Sequence, residues 1–148
     1  MRLRRSSTIE HEFVDVIPGE LREGKVYVST KYATVVHKCC CGCGSEVVTP
    51  LSPVQWTLKF DGETISLSPS IGNWSFPCQS HYWIRQGRVE WARAWSRDKI
   101  AAGRRSDRAA IERRYASRAG VGDDEKRATP LLRRLTSWIT AAKARRRR

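Results

Sequence analysis

Short runs of alternating apolar and polar residues follow one another along the first part of the chain. Such runs, separated by turn residues, are typical of half-buried strands. The runs that predict strands are residues 13–17, 26–29, 33–37, 47–49, 56–60, 64–67, 81–84 and 88–91. No convincing helical pattern precedes Trp91. We therefore expect a mainly β fold, a small antiparallel sandwich or barrel, over this part of the chain.

The residues between these runs predict three hairpins. Asp61 and Gly62 lie between two alternating runs, which is among the firmest hairpin signals in a sequence. Gln86 and Gly87 are placed in the same way. The third turn is the cysteine-rich segment 39–44, where a bound metal ion would fix the register of a hairpin too short to hold it alone.

The cysteine-rich segment predicts a metal site. It holds four of the five cysteines, and the fifth, Cys78, follows at a distance along the chain. Zinc is commonly held by four cysteine or histidine ligands in a tetrahedron, so a short cysteine loop needs a distant group to complete the shell. Cys78 and His81 are the candidates for that group. We therefore expect zinc as the cofactor.

The loop residues that bind the metal stay open between two patterns. Cys39, Cys41 and Cys43 alternate, so all three can face one side of an extended segment, and Cys40 is then the spare thiol. Cys40 and Cys43 also form a C-x-x-C-G turn of the zinc-knuckle kind. His37, just before the cysteines, is a further possible ligand.

A disulfide cluster is the alternative to a metal site. Three consecutive cysteines cannot pair comfortably with one another, and an odd number leaves one thiol over. The basic residues 1–5 are followed by no apolar run, so we expect no signal peptide. No stretch approaches the roughly 18 apolar residues of a membrane span. We therefore expect a soluble protein in the reducing cytoplasm, with metal favoured over disulfides.

The net charge of +13 is concentrated in the C-terminal part of the chain. Residues 1–84 hold eight Lys and Arg against eight Asp and Glu, whereas residues 85–148 hold 20 against seven. This asymmetry separates a neutral β unit from a basic appendage. The expected parts are a flexible arm over 1–11, a zinc-binding β domain over 12–95, and a basic helical tail over 96–148 with a linker near 120–128.

Residues 67–83 concentrate serine, asparagine, histidine and tryptophan, and three interpretations apply to them. The first is structural, with aromatic core residues and a turn at Gly72 and Asn73. The second is nucleophilic catalysis, in which His81 activates a serine hydroxyl and backbone N–H groups near Gly72 and Asn73 stabilise an oxyanion. The third, a zinc-bound water that attacks a carbonyl, is disfavoured because shells dominated by thiolates are usually closed and structural.

The identity of the nucleophilic serine stays open. If residues 78–84 form a strand, Ser80 and His81 point to opposite faces, and Ser70 or another serine of the preceding loop can reach His81 from across. If the segment is instead a turn, Ser80 is again a candidate. The candidate catalytic residues are therefore Ser80, His81 and Ser70.

The order of these motifs resembles a small bacterial family, long described as a domain of unknown function, that occurs in Bub-type operons for ubiquitin-like conjugation. The resemblance covers residues 12–95 and rests on five segments: 37–44, 51–53, Trp56, 67–74 and 77–84. It implies a serine-type, zinc-stabilised peptidase or isopeptidase, similar to a deubiquitinase, that cleaves after the C-terminus of a ubiquitin-like modifier. The implied partners are that modifier and the E1-like and E2-like proteins of the same system.

The same resemblance implies residue roles. The metal ligands would be Cys39, Cys41, Cys43 and Cys78. The catalytic residues would be Ser80, His81 and Ser70. Cys40 departs from the family, which more often has proline there, and this disfavours Cys40 as a ligand.

The basic tail allows a second function. Residues 95–119 predict a solvated helix broken near Gly103, and Thr129 and Pro130 predict the start of another helix with one apolar face. The candidate binding residues of the tail are Arg133, Arg134, Arg145, Arg146, Arg147 and Arg148. They would bind nucleic acid, an acidic protein or an anionic lipid surface. The alternative function is therefore a non-catalytic zinc-binding module that binds nucleic acid or an acidic partner through this tail.

Overall fold

A computed structural model describes residues 5–118 of the chain as eight strands followed by one helix. The strands are β1 (Glu10–Phe13), β2 (Lys25–Ser29), β3 (Thr34–Lys38), β4 (Glu46–Pro50), β5 (Thr57–Phe60), β6 (Ile65–Gly72), β7 (His81–Arg85) and β8 (Arg88–Trp91). The helix, α1, covers residues 97–118. The chain divides into two units, of which the first ends at Asp107 and contains all eight strands.

The strands form two sheets with the orders β1-β2-β3-β4 and β5-β6-β7-β8. Alternating side chains of both sheets meet in one core, with Val26 and Val35 from the first sheet and Ile65, Tyr82 and Ile84 from the second. The mainly β prediction is therefore confirmed, as two sheets around a shared core. The described strands close no barrel. One detail differs from a wholly antiparallel fold, because β1 pairs with β2 in parallel.

All three predicted hairpins are confirmed. The cysteine loop joins β3 to β4, and the second turn joins β5 to β6. In that second turn the Asp61 carboxylate accepts hydrogen bonds from the backbone N–H groups of Glu63 and Thr64, at 3.0 and 2.7 Å. The turn at Gln86 and Gly87 joins β7 to β8, and both of its residues have positive φ.

The N-terminal segment differs from the expected arm. Residues 5–9 lie along β8, where Val89 N–H donates to Ser7 O and Ile9 N–H donates to Gly87 O, both at 2.9 Å. The Ile9 side chain is buried, which explains why the segment is held. The first strand also lies earlier than predicted, because Val14 and Ile17 instead pack against buried residues of a small second cluster.

Strand β6 extends through a stretch that the sequence suggests is a loop. It continues past Leu67 to Gly72, and its pairing with β7 shifts register between Leu67 and Ile71. Proline is tolerated at such an irregularity because no ladder hydrogen bond needs its missing N–H. Pro69 lies in this interval, and it carries Ser70 into the sheet beside β7.

The helix α1 runs through Gly103 without the predicted break. A glycine within a helix costs only about 1 kcal/mol relative to alanine, which the flanking alanines and arginines tolerate. The predicted linker near 120–128, the second tail helix and the candidate tail-binding arginines lie outside the described residues. Within residues 5–118, no helix combines the length and apolarity that crossing a membrane requires.

Candidate functional site

Four cysteine sulfur atoms converge at the tip of the β3–β4 hairpin. The Sγ atoms of Cys39, Cys41, Cys43 and Cys78 all lie within 4.8 Å of one another. The distances from Cys39 Sγ are 3.4 Å to Cys41 Sγ and 4.0 Å to Cys78 Sγ, and Cys43 Sγ lies 3.7 Å from Cys78 Sγ. Sulfur ligands 2.3 Å from a tetrahedral zinc would lie about 3.8 Å apart. The cluster therefore fits a metal ion of this kind.

The loop backbone brings three of these sulfur atoms to one side. Gly42 and Gly44 have φ values of 81° and 77°, which only glycine adopts readily. The loop is closed by the Cys39 N–H, which donates to Ser45 O at 2.8 Å, and by the Gly42 N–H, which donates to Cys39 O at 3.0 Å. Burial raises the pKa of the Cys39 and Cys41 thiols.

Cys40 and His37 lie apart from the sulfur cluster. Cys40 is buried in the core, and burial raises the pKa of its thiol to about 12. His37 Nε2 lies 2.9 Å from the Tyr82 hydroxyl, and burial lowers the pKa of the imidazole to about 4. The arrangement matches the alternating pattern of Cys39, Cys41 and Cys43 and leaves Cys40 as the spare thiol.

Ser70 and His81 meet on the face of the second sheet that points away from the shared core. Gly72 pairs with His81 across β6 and β7, and Ser70 is two positions earlier on the same face as Gly72. Ser70 Oγ lies 2.9 Å from His81 Nε2. The other ring nitrogen, Nδ1, lies 3.5 Å from the Arg93 carbonyl oxygen. A serine hydroxyl, an imidazole and an acceptor on the second ring nitrogen form the arrangement of a nucleophile with an oriented base.

Three tryptophans surround the imidazole of His81. The ring centroids of Trp74, Trp83 and Trp95 lie 4.9, 5.4 and 4.8 Å from that of His81. Gly72 makes room for this arrangement, because a Cβ at that position would collide with the Trp74 indole. Burial is the main cause that lowers the pKa of His81, and the charge of Lys99 acts in the same direction. A lowered pKa favours the neutral ring, which is the form that can accept a proton.

Ser80 faces the sulfur cluster instead of His81. Its Oγ lies 3.1 Å from Cys39 Sγ and 3.6 Å from Cys78 Sγ, and it accepts a hydrogen bond from Asn73 Nδ2 at 2.8 Å. Adjacent residues of a strand point to opposite faces, which explains why Ser80 and His81 are separated. The structure thus brings two of the three candidate catalytic residues together and places Ser80 beside the cysteines.

The expected oxyanion turn at Gly72 and Asn73 also differs from the structure. The backbone N–H of Asn73 donates to the Ser80 carbonyl oxygen at 2.9 Å, so it is already occupied. The Asn73 side chain is buried and directs its amide toward Ser80 Oγ. Gly72 serves instead to make room beside His81. Asn73 accordingly belongs to the hydrogen-bond network around the cysteines.

Two groups that contact His81 were not predicted from the sequence. They are the Arg93 carbonyl and the Trp95 side chain, in the segment between β8 and α1. A backbone carbonyl leaves no signal in a sequence. Trp95 could have been found from the sequence, because a tryptophan is unusual among the charged residues of a solvated helix and indicates that its side chain packs against something.

Comparison with known proteins identifies the family to which this chain is similar. Residues 13–92, more than half of the 148-residue chain, match the family described as bacterial ubiquitination-like system serine protease (BubE). No curated protein and no solved structure gives a match. The match confirms the resemblance to a family of Bub-type systems, and the family description indicates a serine protease.

Proposed function

We propose, on the premise that the chain belongs to the BubE family of bacterial ubiquitination-like system serine proteases, that Ser70 is its nucleophile and His81 its general base. The observation that carries this proposal is the distance of 2.9 Å between Ser70 Oγ and His81 Nε2. Within residues 5–118, Ser80 Oγ hydrogen-bonds to no imidazole and contacts sulfur atoms instead. The geometry therefore favours Ser70 over Ser80 as the attacking group.

The pair supports acyl transfer. His81 Nε2 takes the hydroxyl proton of Ser70 as Oγ attacks the carbonyl carbon of the scissile bond. His81 then gives this proton to the departing amine as the carbon–nitrogen bond breaks, which leaves an ester on Ser70. Water hydrolyses the ester with His81 again as the base, which releases a carboxylate and restores the Ser70 hydroxyl.

The substrate we propose is the C-terminal junction of a ubiquitin-like modifier, where a peptide or isopeptide bond joins it to another group. The family description supports this choice, because it places the protease in a ubiquitination-like system. The modifier and the E1-like and E2-like proteins of that system are then the expected partners. The activity is that of a deubiquitinase-like peptidase.

The substrate proposal is tested with a fusion of such a modifier to a C-terminal extension. We expect the full-length protein to cleave the fusion after the last residue of the modifier, and intact-mass spectrometry would identify the new C-terminus. Ser70→Ala is the matched control. A fusion that stays intact with metal-loaded protein, or that Ser70→Ala still cleaves, would refute the proposed function.

We also propose that zinc occupies the cluster of four sulfur atoms. Four thiolate ligands from Cys39, Cys41, Cys43 and Cys78 fill a tetrahedral shell, so the ion would be structural. A bound zinc would supply a cross-link between the β3–β4 hairpin and the segment that leads into β7. That segment carries Ser80 and His81, so the cross-link would hold the base in position.

Ser80 is expected to support the zinc ligands. Because Ser80 Oγ accepts a hydrogen bond from Asn73, its own O–H is available to donate to Cys39 Sγ. Ser80→Ala should therefore lower zinc affinity by about 10- to 100-fold, the usual range for groups that hydrogen-bond to metal ligands. Competition with a coloured chelator measures this, with the exposed Ser75→Ala as control. Equal affinities of Ser80→Ala and the native protein would contradict the assignment.

A further inference from the structure

We propose that residues 93–95, just beyond the family-matched segment, complete the catalytic site by positioning the ring of His81. The match to the family ends at residue 92, yet the groups on the far side of His81 belong to Arg93 and Trp95. The inference rests on the proposed function of Ser70 and His81. It adds a positioning role for a segment that would otherwise be only a connection to α1.

The contact between His81 and the Arg93 carbonyl favours one tautomer of the ring. A carbonyl oxygen can only accept, so the Arg93 carbonyl favours the form of His81 in which Nδ1 carries the hydrogen. Nε2 is then free of hydrogen and faces the hydroxyl of Ser70. At 3.5 Å the contact to Arg93 is long for a hydrogen bond. Packing must therefore supply the rest of the orientation.

Trp95 supplies that packing. Its indole meets the His81 ring edge to face at a centroid distance of 4.8 Å and an interplanar angle of 76°. It also stacks on Trp74 at 5.5 Å with an interplanar angle of 25°. Edge-to-face and stacked aromatic pairs are the favourable arrangements, each worth about 0.5–1.5 kcal/mol beyond burial. His81 is thus enclosed by Trp74 from the loop after β6 and by Trp95 from beyond β8.

The beginning of α1 in turn holds Trp95. The Lys99 ammonium lies 4.5 Å from the centroid of the Trp95 indole, within the range of a cation–π interaction. Gly103 of the same helix lies beside this ring, where a Cβ would be 3.5 Å from an indole carbon, an ordinary packing distance. The first turns of α1 therefore hold Trp95 in place, and Trp95 in turn holds the ring of His81.

The charged groups around His81 give this arrangement a measurable signature. Lys99 on α1 opposes protonation of the ring, and the Arg93 carbonyl favours it. Ser70 on β6 is uncharged, and within residues 5–118 no carboxylate hydrogen-bonds to either ring nitrogen. Exposing the ring to water should raise the pKa of His81 toward its ordinary value. The base would then be protonated, and catalysis lost, at a higher pH than in the native protein.

A fluorophosphonate probe tests the proposal in the full-length, zinc-loaded protein. The probe phosphonylates an activated serine and releases fluoride, so its reaction rate reports on the Ser70–His81 pair without a modifier substrate. Trp95→Ala should lower the maximal rate roughly 100-fold, as misplaced catalytic groups do. It should also move the acid limb of the pH–rate profile to higher pH. Trp95→Phe should restore most of the rate. A native rate and a native acid limb in Trp95→Ala would overturn the proposal.

Two further variants keep the result interpretable. Tyr115→Ala removes an exposed aromatic from α1 and should react at the native rate. Lys99→Met should move the acid limb to higher pH because it removes a charge that opposes protonation of His81, and it serves if Trp95→Ala fails to fold. An unmoved acid limb in Lys99→Met would then count against the positioning role.

The same experiment separates this inference from the proposed function. If the probe labels Ser70→Ala as it labels the native protein, the assignment of Ser70 fails. If the probe leaves Ser70→Ala unlabelled and Trp95→Ala behaves like the native protein, only the role of residues 93–95 fails.

Discussion

Ser70→Ala is expected to lower the rate of modifier-fusion cleavage by roughly 10⁴-fold or more, the scale seen when a serine protease loses its nucleophile. The physical reason is that Ser70 Oγ is the hydroxyl within 2.9 Å of His81 Nε2. His81→Ala should have a comparable effect, because residues that act as a unit lose their function together. Cleavage rates of the zinc-loaded variants, measured at equal protein concentration, check this prediction.

The matched control is Ser80→Ala at saturating zinc. Its hydroxyl contacts Cys39 and Asn73 and not the imidazole, so we expect cleavage within about tenfold of the native rate once the metal site is filled. The reverse result, with Ser80→Ala inactive and Ser70→Ala active, would show that the nucleophile lies on the sulfur side of β7.

Removal of the metal is expected to unfold the β domain. Structural zinc contributes roughly 10 kcal/mol of apparent folding free energy in small zinc modules, which is comparable with the whole stability of a typical domain. Here the ion would join Cys78 to the hairpin between β3 and β4 and so tie the two sheets together. Circular dichroism and tryptophan fluorescence during titration with a chelator would follow the loss of structure.

Single cysteine variants separate the ligands from the spare thiol. Cys78→Ala should fail to retain zinc and should unfold at a lower temperature than the native protein, because it removes the distant ligand. Cys40→Ala should retain one zinc per chain, since its sulfur lies in the core outside the cluster. A reduced protein that contains no metal, or that stays folded after chelation, would contradict the structural role.

The hairpins and the cysteine cluster could be predicted because local chemistry decides them. Asp61 and Gly62 suit one kind of turn, and four cysteines within five positions indicate a metal loop. Which three of those four belong to the cluster stays open in the sequence between two patterns. The need to complete a four-ligand shell predicted a distant fourth group, with Cys78 and His81 as its candidates. In the structure it is the sulfur atom of Cys78 that joins the cluster. These features depend on spacing within a few residues or on the usual coordination number of zinc, so the sequence is enough to predict them.

The choice between Ser70 and Ser80 could not be made from the sequence, because it depends on strand register. The irregularity between Leu67 and Ile71 keeps Ser70 within β6 and on the same face as His81. A shift by one residue would have turned Ser70 toward the core. Residues 93–95 were missed for a related reason, since the role of Arg93 belongs to its backbone. The hydrogen bonds that hold residues 5–9 likewise depend on the position of β8 at the edge of its sheet, which the sequence does not show.

The most direct test of the central claim identifies the residue that a fluorophosphonate modifies in the native, zinc-loaded protein. Peptide mass spectrometry of the digested product distinguishes Ser70 from Ser80, because a fragment spectrum assigns the added mass to one residue. The account predicts that the adduct lies on Ser70 and that its formation slows as acid protonates His81. An adduct on Ser80, or the absence of any adduct in protein that cleaves the modifier fusion, would contradict it.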